Sequence, residues 1–262
     1  MLSHRILTVS VLLPIFLAAL FGLPRPAWGA LMLAVVLLAA FEWAKLAALS
    51  TTARIVYLLT VTAGCIAVAL AEPGVAGIAL LAIGVVFWLG AVPLWLTGKL
   101  AATHSHIAVA GFIVLVCAWY ALYLLQATPG RLLALLAVVW IADTAAYFAG
   151  RRFGKRKLAP RISPGKTWEG VMGAAAAVAV YYAFLWLAIA PDFLGGNRSA
   201  DLALVTAVAV LSIEGDLFES WMKRRAGVKD SGALLPGHGG ILDRIDGVVA
   251  VLPLAALITV AT

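Results

Sequence analysis

Long apolar segments recur along the whole chain and are separated by short polar stretches. A helix needs about 20 apolar residues to cross the hydrocarbon core of a membrane, and most segments approach that length, although the second and the eighth are short. The pattern predicts an all-α integral membrane protein with about nine transmembrane helices. The segments cover roughly residues 6–23, 27–44, 55–71, 75–96, 106–127, 132–150, 169–190, 202–219 and 245–261.

The composition supports a membrane protein. Hydrophobic residues make up 64% of the 262 residues and the mean hydropathy is +1.06, which is more than the core of a soluble protein can hide. Cys65 and Cys117 both lie in apolar segments, so neither a disulfide framework nor a Cys-based metal site is indicated. Residues 24–30 offer no clean small-x-small cleavage site, and we expect the first apolar run to be a spanning helix.

The basic residues are distributed unevenly between alternate loops. With nine spans, 16 of the 19 Lys and Arg residues fall on one side, and only Arg25, Arg131 and Arg198 fall on the other. Because cytoplasmic loops carry the excess of basic residues, this partition predicts a cytoplasmic N-terminus and an outside C-terminus. We divide the chain into residues 1–130, five spans that form a scaffold, and residues 131–262, four spans that form a catalytic region with two basic cytoplasmic loops.

The first basic loop has two parts. The stretch 151–157 is rich in Arg and Lys and is also compatible with a simple anchor for anionic lipid headgroups. The following stretch, Ser-Pro-Gly-Lys-Thr-Trp-Glu-Gly, combines a turn, the cation of Lys166 and the hydroxyls of Ser163 and Thr167 just before a predicted helix. Such an arrangement is suited to binding a phosphate group.

Polar residues also line one face of the eighth segment. Asp216, Glu219, Ser220 and Lys223 follow each other at helical spacing, so at about 100° per residue they share one stripe. Glu214 lies on another side of the same helix and is expected to point elsewhere.

The last segment opens with Asp243 and Asp246, three residues apart on one helical face. With Asp216 and Glu219 they form an oxygen-rich, sulfur-free set, which is typical of sites for Mg²⁺. For Asp243 alone, a solvated charge that is stabilised by the helix dipole is an open alternative. Between the two carboxylate groups, the Gly-rich stretch 236–240 can bring backbone N–H groups close to an anion, and His238 can add a donor.

The second basic loop and its surroundings resemble the signature of phosphatidate cytidylyltransferases, also called CDP-diacylglycerol synthases. The matching residues are Ser220, Lys223 and Arg224, then Lys229-Asp230-Ser231-Gly232, then Pro236-Gly237-His238-Gly239-Gly240-Ile241-Leu242-Asp243-Arg244-Ile245-Asp246. Residues 143–147, 163–170 and 215–220 are also similar to that family, so the resemblance covers about residues 140–250. Residues 1–130 match only as apolar helices, and Glu214 stands where an apolar residue is expected.

The resemblance implies the reaction of phosphatidate with CTP to give CDP-diacylglycerol and pyrophosphate. It also implies Mg²⁺, a second, monovalent cation such as K⁺, and a homodimer. CTP comes from the cytosol and phosphatidate from the inner leaflet, so the implied location is the inner (plasma) membrane, as a multi-pass protein that binds membrane lipids and no nucleic acid.

The resemblance also suggests roles for individual residues. The metal would be held by Asp216, Asp243 and Asp246, with Asp143 and Glu219 as further candidate ligands. Catalysis would depend on Asp216, Lys223, Asp243 and Asp246. Substrate phosphates, of CTP or of the lipid, would be bound by residues from both loops: Ser163, Lys166, Thr167, Ser220, Lys223, Arg224, Lys229, Asp230, His238, Gly239, Gly240 and Arg244.

Two other functions share some of these sequence features. The spacing Asp243-x-x-Asp246-Gly247 resembles the opening of the CDP-alcohol phosphotransferase motif, but Val251 stands where that motif has Arg, and the chain ends at residue 262. A cation or proton transporter also uses intramembrane carboxylates, yet it predicts acidic residues spread over two related halves. Here the carboxylates concentrate in the last third of the chain.

Overall fold

The computed structural model describes residues 2–71, 74–189, 198–232 and 239–261. Helices account for almost all of this part of the chain, as predicted. In chain order the elements are α1 Leu2–Gly22, α2 Arg25–Leu46, α3 Thr51–Leu70, α4 Val75–Val86, a π-helical turn Phe87–Ala91, α5 Val92–Leu96, α6 His104–Leu125, α7 Pro129–Phe153, β1 Lys157–Ala159, β2 Ser163–Thr167, α8 Trp168–Phe184, a second π-helical turn Leu185–Ile189, α9 Arg198–Arg225 and α10 Leu242–Ala261.

The predicted apolar segments coincide with these helices. The fourth segment, residues 75–96, corresponds to one continuous rod that consists of α4, the first π-helical turn and α5. In the described part of the chain, six helical rods are long and apolar enough to cross a membrane. They are Arg25–Leu46, Thr51–Leu70, Val75–Leu96, His104–Leu125, Pro129–Phe153 and Trp168–Ala188. The rods α1, α9 and α10 are outside this set: α1 contributes only a shorter apolar helix, Ser10–Gly22, and α9 and α10 carry charged residues that the sequence assigned to the site.

Local sequence explains where several helices begin. Ser50 caps α3 by accepting a hydrogen bond from the N–H of Ala53. Thr103 and His106 form a reciprocal capping box at the start of α6. A proline lies in the first turn of α2 and of α7, where its missing N–H has no helical partner to lose.

Indole groups fix the antiparallel pair α2 and α6 at both ends. The Nε1–H of Trp28 donates to the carbonyl of Leu122 (3.0 Å), and that of Trp43 donates to the carbonyl of Ile107 (2.8 Å). In the opposite direction, Trp119 donates to the carbonyl of Gly29 (2.9 Å). Because a buried N–H without a partner is costly, these bonds define how the two helices align.

An aromatic cluster attaches α9 to the earlier helices. Phe218 of α9 stacks against Trp95 of α5 and against Trp221, with ring centroids 5.9 and 5.7 Å apart. Its ring also meets the edge of Trp88 at 5.5 Å and lies 6.0 Å from Trp43 of α2. Phe218 is 1% exposed, so its full apolar surface contributes to this contact.

A short antiparallel hairpin, β1–β2, is the exception to the all-α prediction, with Lys157 opposite Thr167 and Ala159 opposite Ser163. Its strands are too short and too polar to show a period-2 pattern in the sequence. The hairpin leads directly into α8, whose first residue is Trp168. It therefore places the predicted phosphate-binding stretch at the start of a helix.

The helices α9 and α10 cross closely at Gly215. A methyl group at this position would overlap the backbone carbonyl oxygen of Asp246 and press on the Cβ of Ala250. We expect Gly215→Ala to separate the two helices, lowering both thermal stability in detergent and turnover. Gly90→Ala is the matched control, because a methyl group there meets no atom within 4 Å. Equal unfolding temperatures for the two variants would contradict this account of the crossing.

Candidate functional site

An ion pair joins the hairpin to α9. Lys166 Nζ lies 2.7 Å from Asp216 Oδ2, and it also donates to the carbonyl of Ile213 at 3.3 Å. The hydroxyl of Ser220 donates to Asp216 Oδ1 at 3.4 Å. The sequence predicted that Asp216 and Ser220 share a helical face, and the structure confirms this. It also brings the first basic loop to that face.

Two further aspartates surround this ion pair. Asp143 of α7 and Asp246 of α10 both interact electrostatically with Asp216 and with Lys166. Asp246 Oδ1 also accepts a hydrogen bond from the N–H of Gly247 (2.8 Å). Three carboxyl groups from three helices therefore lie around one lysine, so acidic side chains outnumber this cation.

A cavity of about 360 Å³ opens beside the ion pair. Its walls come from α7, the hairpin, α8 and α9, and they include Asp143, Arg151, Ser163, Lys166 and Asp216. Apolar side chains such as Leu158, Val171 and Ile213 also line the wall. A cavity that offers both charged and apolar groups suits a ligand that is itself amphipathic.

A second ionic cluster lies nearer the C-terminal end of α9. Lys223 Nζ is 2.5 Å from Glu219 Oε2 and 2.6 Å from Asp243 Oδ1. The Glu219 side chain is 4% exposed, and its other oxygen, Oε1, is buried without a hydrogen-bond partner in the described part of the chain. Glu219 also interacts electrostatically with Asp246, so the two clusters are neighbours.

Both oxygens of Asp243 are engaged by the protein. Besides the contact of Oδ1 with Lys223, Oδ2 accepts hydrogen bonds from the N–H of Gly240 (2.7 Å) and from the N–H of Ser231 (3.0 Å), and it lies 3.0 Å from the hydroxyl oxygen of Ser231. Gly239 has φ +81°, a left-handed conformation that favours glycine. Gly239 and Gly240, the described part of the Gly-rich stretch, thus lie directly against an internal carboxylate. The assignment of Asp243 as a metal ligand stays a prediction.

Glu42 of α2 is a site residue that the sequence analysis missed. Its carboxylate is 1% exposed and accepts hydrogen bonds from the hydroxyl of Ser231 (2.9 Å) and from the N–H groups of Ile241 (3.0 Å) and Leu242 (2.9 Å). The available signal was an acidic residue inside an apolar segment, which marks a functional position in membrane proteins.

Two residues of the first loop are used to build local structure. Thr167 caps α8 by accepting a hydrogen bond from the N–H of Gly170 (3.2 Å) and is buried. Glu169 accepts hydrogen bonds from the N–H groups of Lys155 and Arg156. Ser163 lines the cavity, as the phosphate-binding hypothesis requires.

The remaining predicted residues lie outside the two clusters. Arg224 donates to the carbonyl of Ile162 at 3.4 Å, while Lys229 and Asp230 are exposed. Arg244 lines a separate, mostly apolar cavity between α1, α2, α6, α7 and α10. His238 lies outside the described residues. Glu214 is half-buried, and its Oε1 has no hydrogen-bond partner within the described ranges.

The described residues include carboxylate oxygens that are suitable ligands for a metal ion, but no complete binding site. Among residues 2–71, 74–189, 198–232 and 239–261, no three His, Cys, Asp or Glu side chains are grouped closely enough to hold a metal by themselves. The carboxylates of Asp143, Asp216 and Asp246 and the unpartnered Oε1 of Glu219 are nevertheless hard oxygen donors. They fit Mg²⁺, which usually takes one or two carboxylates and completes its shell with water and substrate phosphates.

Comparison with known proteins places the whole chain in one family. The model of the "Cytidylyltransferase family" matches residues 3–261. A phosphatidate cytidylyltransferase of Pseudomonas aeruginosa is 43% identical over 268 aligned residues, covering 98% of this chain and 96% of that protein. Those of Haemophilus influenzae and Brucella suis are 50% and 56% identical over 124 residues, covering 47% of this chain and 43% and 44% of the relatives. The chain belongs to the cytidylyltransferase family.

Proposed function

We propose that this protein transfers CMP from CTP to phosphatidate, giving CDP-diacylglycerol and pyrophosphate. The observation that carries the proposal is the pair Lys166–Asp216 in the wall of a cavity that charged and apolar residues line together. Phosphatidate likewise combines an anionic phosphate with apolar chains. The names of the relatives from Pseudomonas, Haemophilus and Brucella support this substrate and this nucleotide.

The reaction places unusual demands on the protein. A phosphate oxygen of phosphatidate forms a bond to the α-phosphorus of CTP while the bond to the bridging oxygen of pyrophosphate breaks. The attacking oxygen is already anionic, so the site needs no strong general base. What it must do is bring two anions together and stabilise the charge on the departing pyrophosphate.

The described cations suit these tasks. Lys166 is held at the cavity by Asp216 and can bind an incoming phosphate. Lys223 is held by Glu219 and Asp243 in the neighbouring cluster, and its ammonium group is the one we assign to the triphosphate. Arg224, Lys229 and His238 remain candidates for the leaving group. Because Lys166 and Lys223 are held in place before the substrates bind, these two lysines need little reorganisation during the reaction.

We also propose a Mg²⁺ ion bound by Asp216 and Asp246, with Asp143, Asp243 and Glu219 as further candidate ligands and with a monovalent cation such as K⁺ nearby. When bound, the metal would neutralise phosphate charge at the reacting centre. The excess of carboxylates over lysines around Asp246 supports a cation there.

The arrangement in the membrane is proposed from the sequence and the helices together. Nine spans, with a cytoplasmic N-terminus and an outside C-terminus, agree with the charge partition and with the helical rods. The site then faces the cytosol, where CTP is available, and phosphatidate enters sideways from the inner leaflet of the plasma membrane. We propose a homodimer from the family resemblance alone.

The test is pyrophosphate release by the purified protein in detergent, with phosphatidate, CTP and Mg²⁺ present and each omitted in turn. We expect release only when all three are present, and CDP-diacylglycerol as the lipid product. A folded protein that releases no pyrophosphate would contradict the proposal. Ion flux through the protein in vesicles without CTP would instead support a transporter.

A further inference from the structure

We propose that Glu42 is a positioning residue of the active site, which holds the loop before α10 so that Asp243 and Lys223 are aligned for the reaction. The inference rests on the proposed cytidylyl transfer. It concerns a residue in the part of the chain that the sequence analysis assigned to the scaffold, about 200 positions from the groups it contacts.

The first argument is the set of hydrogen bonds that Glu42 accepts. Oε1 binds the N–H of Ile241, and Oε2 binds the N–H of Leu242 together with the hydroxyl of Ser231. The two N–H groups belong to the start of α10, where unpaired backbone donors and the helix dipole favour an anion. One carboxylate therefore fixes both the start of α10 and the loop that precedes it.

The second argument is the bridge through Ser231. The hydroxyl of Ser231 lies 2.9 Å from Glu42 Oε2 and 3.0 Å from Asp243 Oδ2. Asp243 in turn contacts Lys223 at 2.6 Å. A continuous polar path thus leads from α2 to the buried lysine of α9, and every member of it is at least partly buried.

The third argument is the shape of the loop around the carboxylate. A methyl group on Gly232 or on Gly240 would overlap the oxygens of Glu42. Two glycines, separated along the chain, therefore leave the space that this one side chain fills. Such close backbone approach on two sides indicates a built pocket for the carboxylate.

The burial of Glu42 requires an explanation of this kind. Placing a carboxylate at 1% exposure among apolar helices is costly unless its oxygens are fully hydrogen-bonded. An apolar residue would pack at this position of α2 without that cost. The charge is therefore better explained by what it holds in place than by the stability of α2.

The experiment compares Glu42→Gln with Tyr181→Phe. Gln keeps the size of the side chain but turns an NH₂ group toward N–H donors. Because partners that orient site residues typically matter by 10- to 100-fold, we expect kcat to fall by about that factor while KM for CTP changes less. Amide exchange should rise at Ser231, Ile241 and Leu242. Tyr181→Phe removes a partly buried hydrogen bond between α8 and α7, to the carbonyl of Ala134, and should leave kcat and exchange at this loop unchanged.

A second variant separates positioning from folding. Ser231→Ala cuts the bridge to Asp243 and keeps both backbone bonds of Glu42. If the path acts as a unit, the fold loss of kcat in the double variant Glu42→Gln/Ser231→Ala will be smaller than the product of the fold losses in the two single variants. Multiplicative losses, wild-type kcat in folded Glu42→Gln, or exchange that rises throughout the chain would each overturn the proposal. Amide exchange requires no substrate, so these outcomes are distinct from a failure of the proposed reaction.

Discussion

Replacing Asp246 by Asn is expected to abolish detectable turnover and to leave a folded protein that inserts into the membrane. Asp246 lies where three carboxyl groups surround one lysine, and it also interacts electrostatically with Glu219, whose Oε1 has no hydrogen-bond partner among the described residues. Loss of outer-shell partners typically costs 10- to 100-fold, so loss of a group at the reacting centre should cost at least about 10²-fold. The measurement is pyrophosphate release with saturating phosphatidate, CTP and Mg²⁺.

The matched control is Asp201→Asn. Asp201 is another buried acid, near the first turn of α9, and it interacts electrostatically with Arg131. Neutralising it tests the general effect of removing a buried negative charge from this region. We expect Asp201→Asn to retain turnover. Near-normal activity of Asp246→Asn, or an equal loss in both variants, would remove Asp246 from the site.

Replacing Lys223 by Met is expected to destabilise the protein strongly as well as to inactivate it. Lys223 contacts two carboxylates whose side chains are only 4% and 8% exposed. Removing one partner of a buried ion pair typically costs 3–5 kcal/mol, because it leaves an uncompensated charge. The expected result is a marked fall in the unfolding temperature in detergent, together with loss of pyrophosphate release.

Two further variants make this prediction specific. Lys229→Met removes an exposed lysine from the same basic run and should leave the unfolding temperature unchanged. Adding Glu219→Gln to Lys223→Met removes one of the two stranded charges, so it should recover part of the stability and none of the turnover. An unfolding temperature of Lys223→Met equal to that of Lys229→Met would show that the ion pairs do not stabilise the fold.

Much of this architecture could be predicted because the membrane imposes simple rules. Apolar runs near 20 residues long identify helices without knowledge of their neighbours, and each predicted run coincides with a helical rod. The helical spacing of Asp216, Ser220 and Lys223 likewise predicted one polar face, since it depends only on the geometry of a single helix.

Contacts between distant segments could not be predicted in this way. Glu42 meets Leu242 across nearly the whole chain, and nothing local to either residue specifies the other. The same holds for Asp243, whose spacing to Asp246 suggested a shared metal site, whereas its oxygens face Lys223, Ser231 and Gly240. Apart from Lys223, the partners in both cases are backbone N–H groups or a hydroxyl, which leave no distinctive pattern in the sequence.

The indole bonds between α2 and α6 fix the position of Glu42 along the helix axis, relative to the loop that it holds. Trp28 and Trp43 are as far apart on α2 as their acceptors, Leu122 and Ile107, are on α6. Sliding α2 by a single residue would break the bonds at both ends together, so the two bonds fix the axial register of α2 against α6. Glu42 is adjacent to Trp43, which makes one of these bonds. Its depth in the membrane is therefore set by hydrogen bonds that no substrate needs to touch.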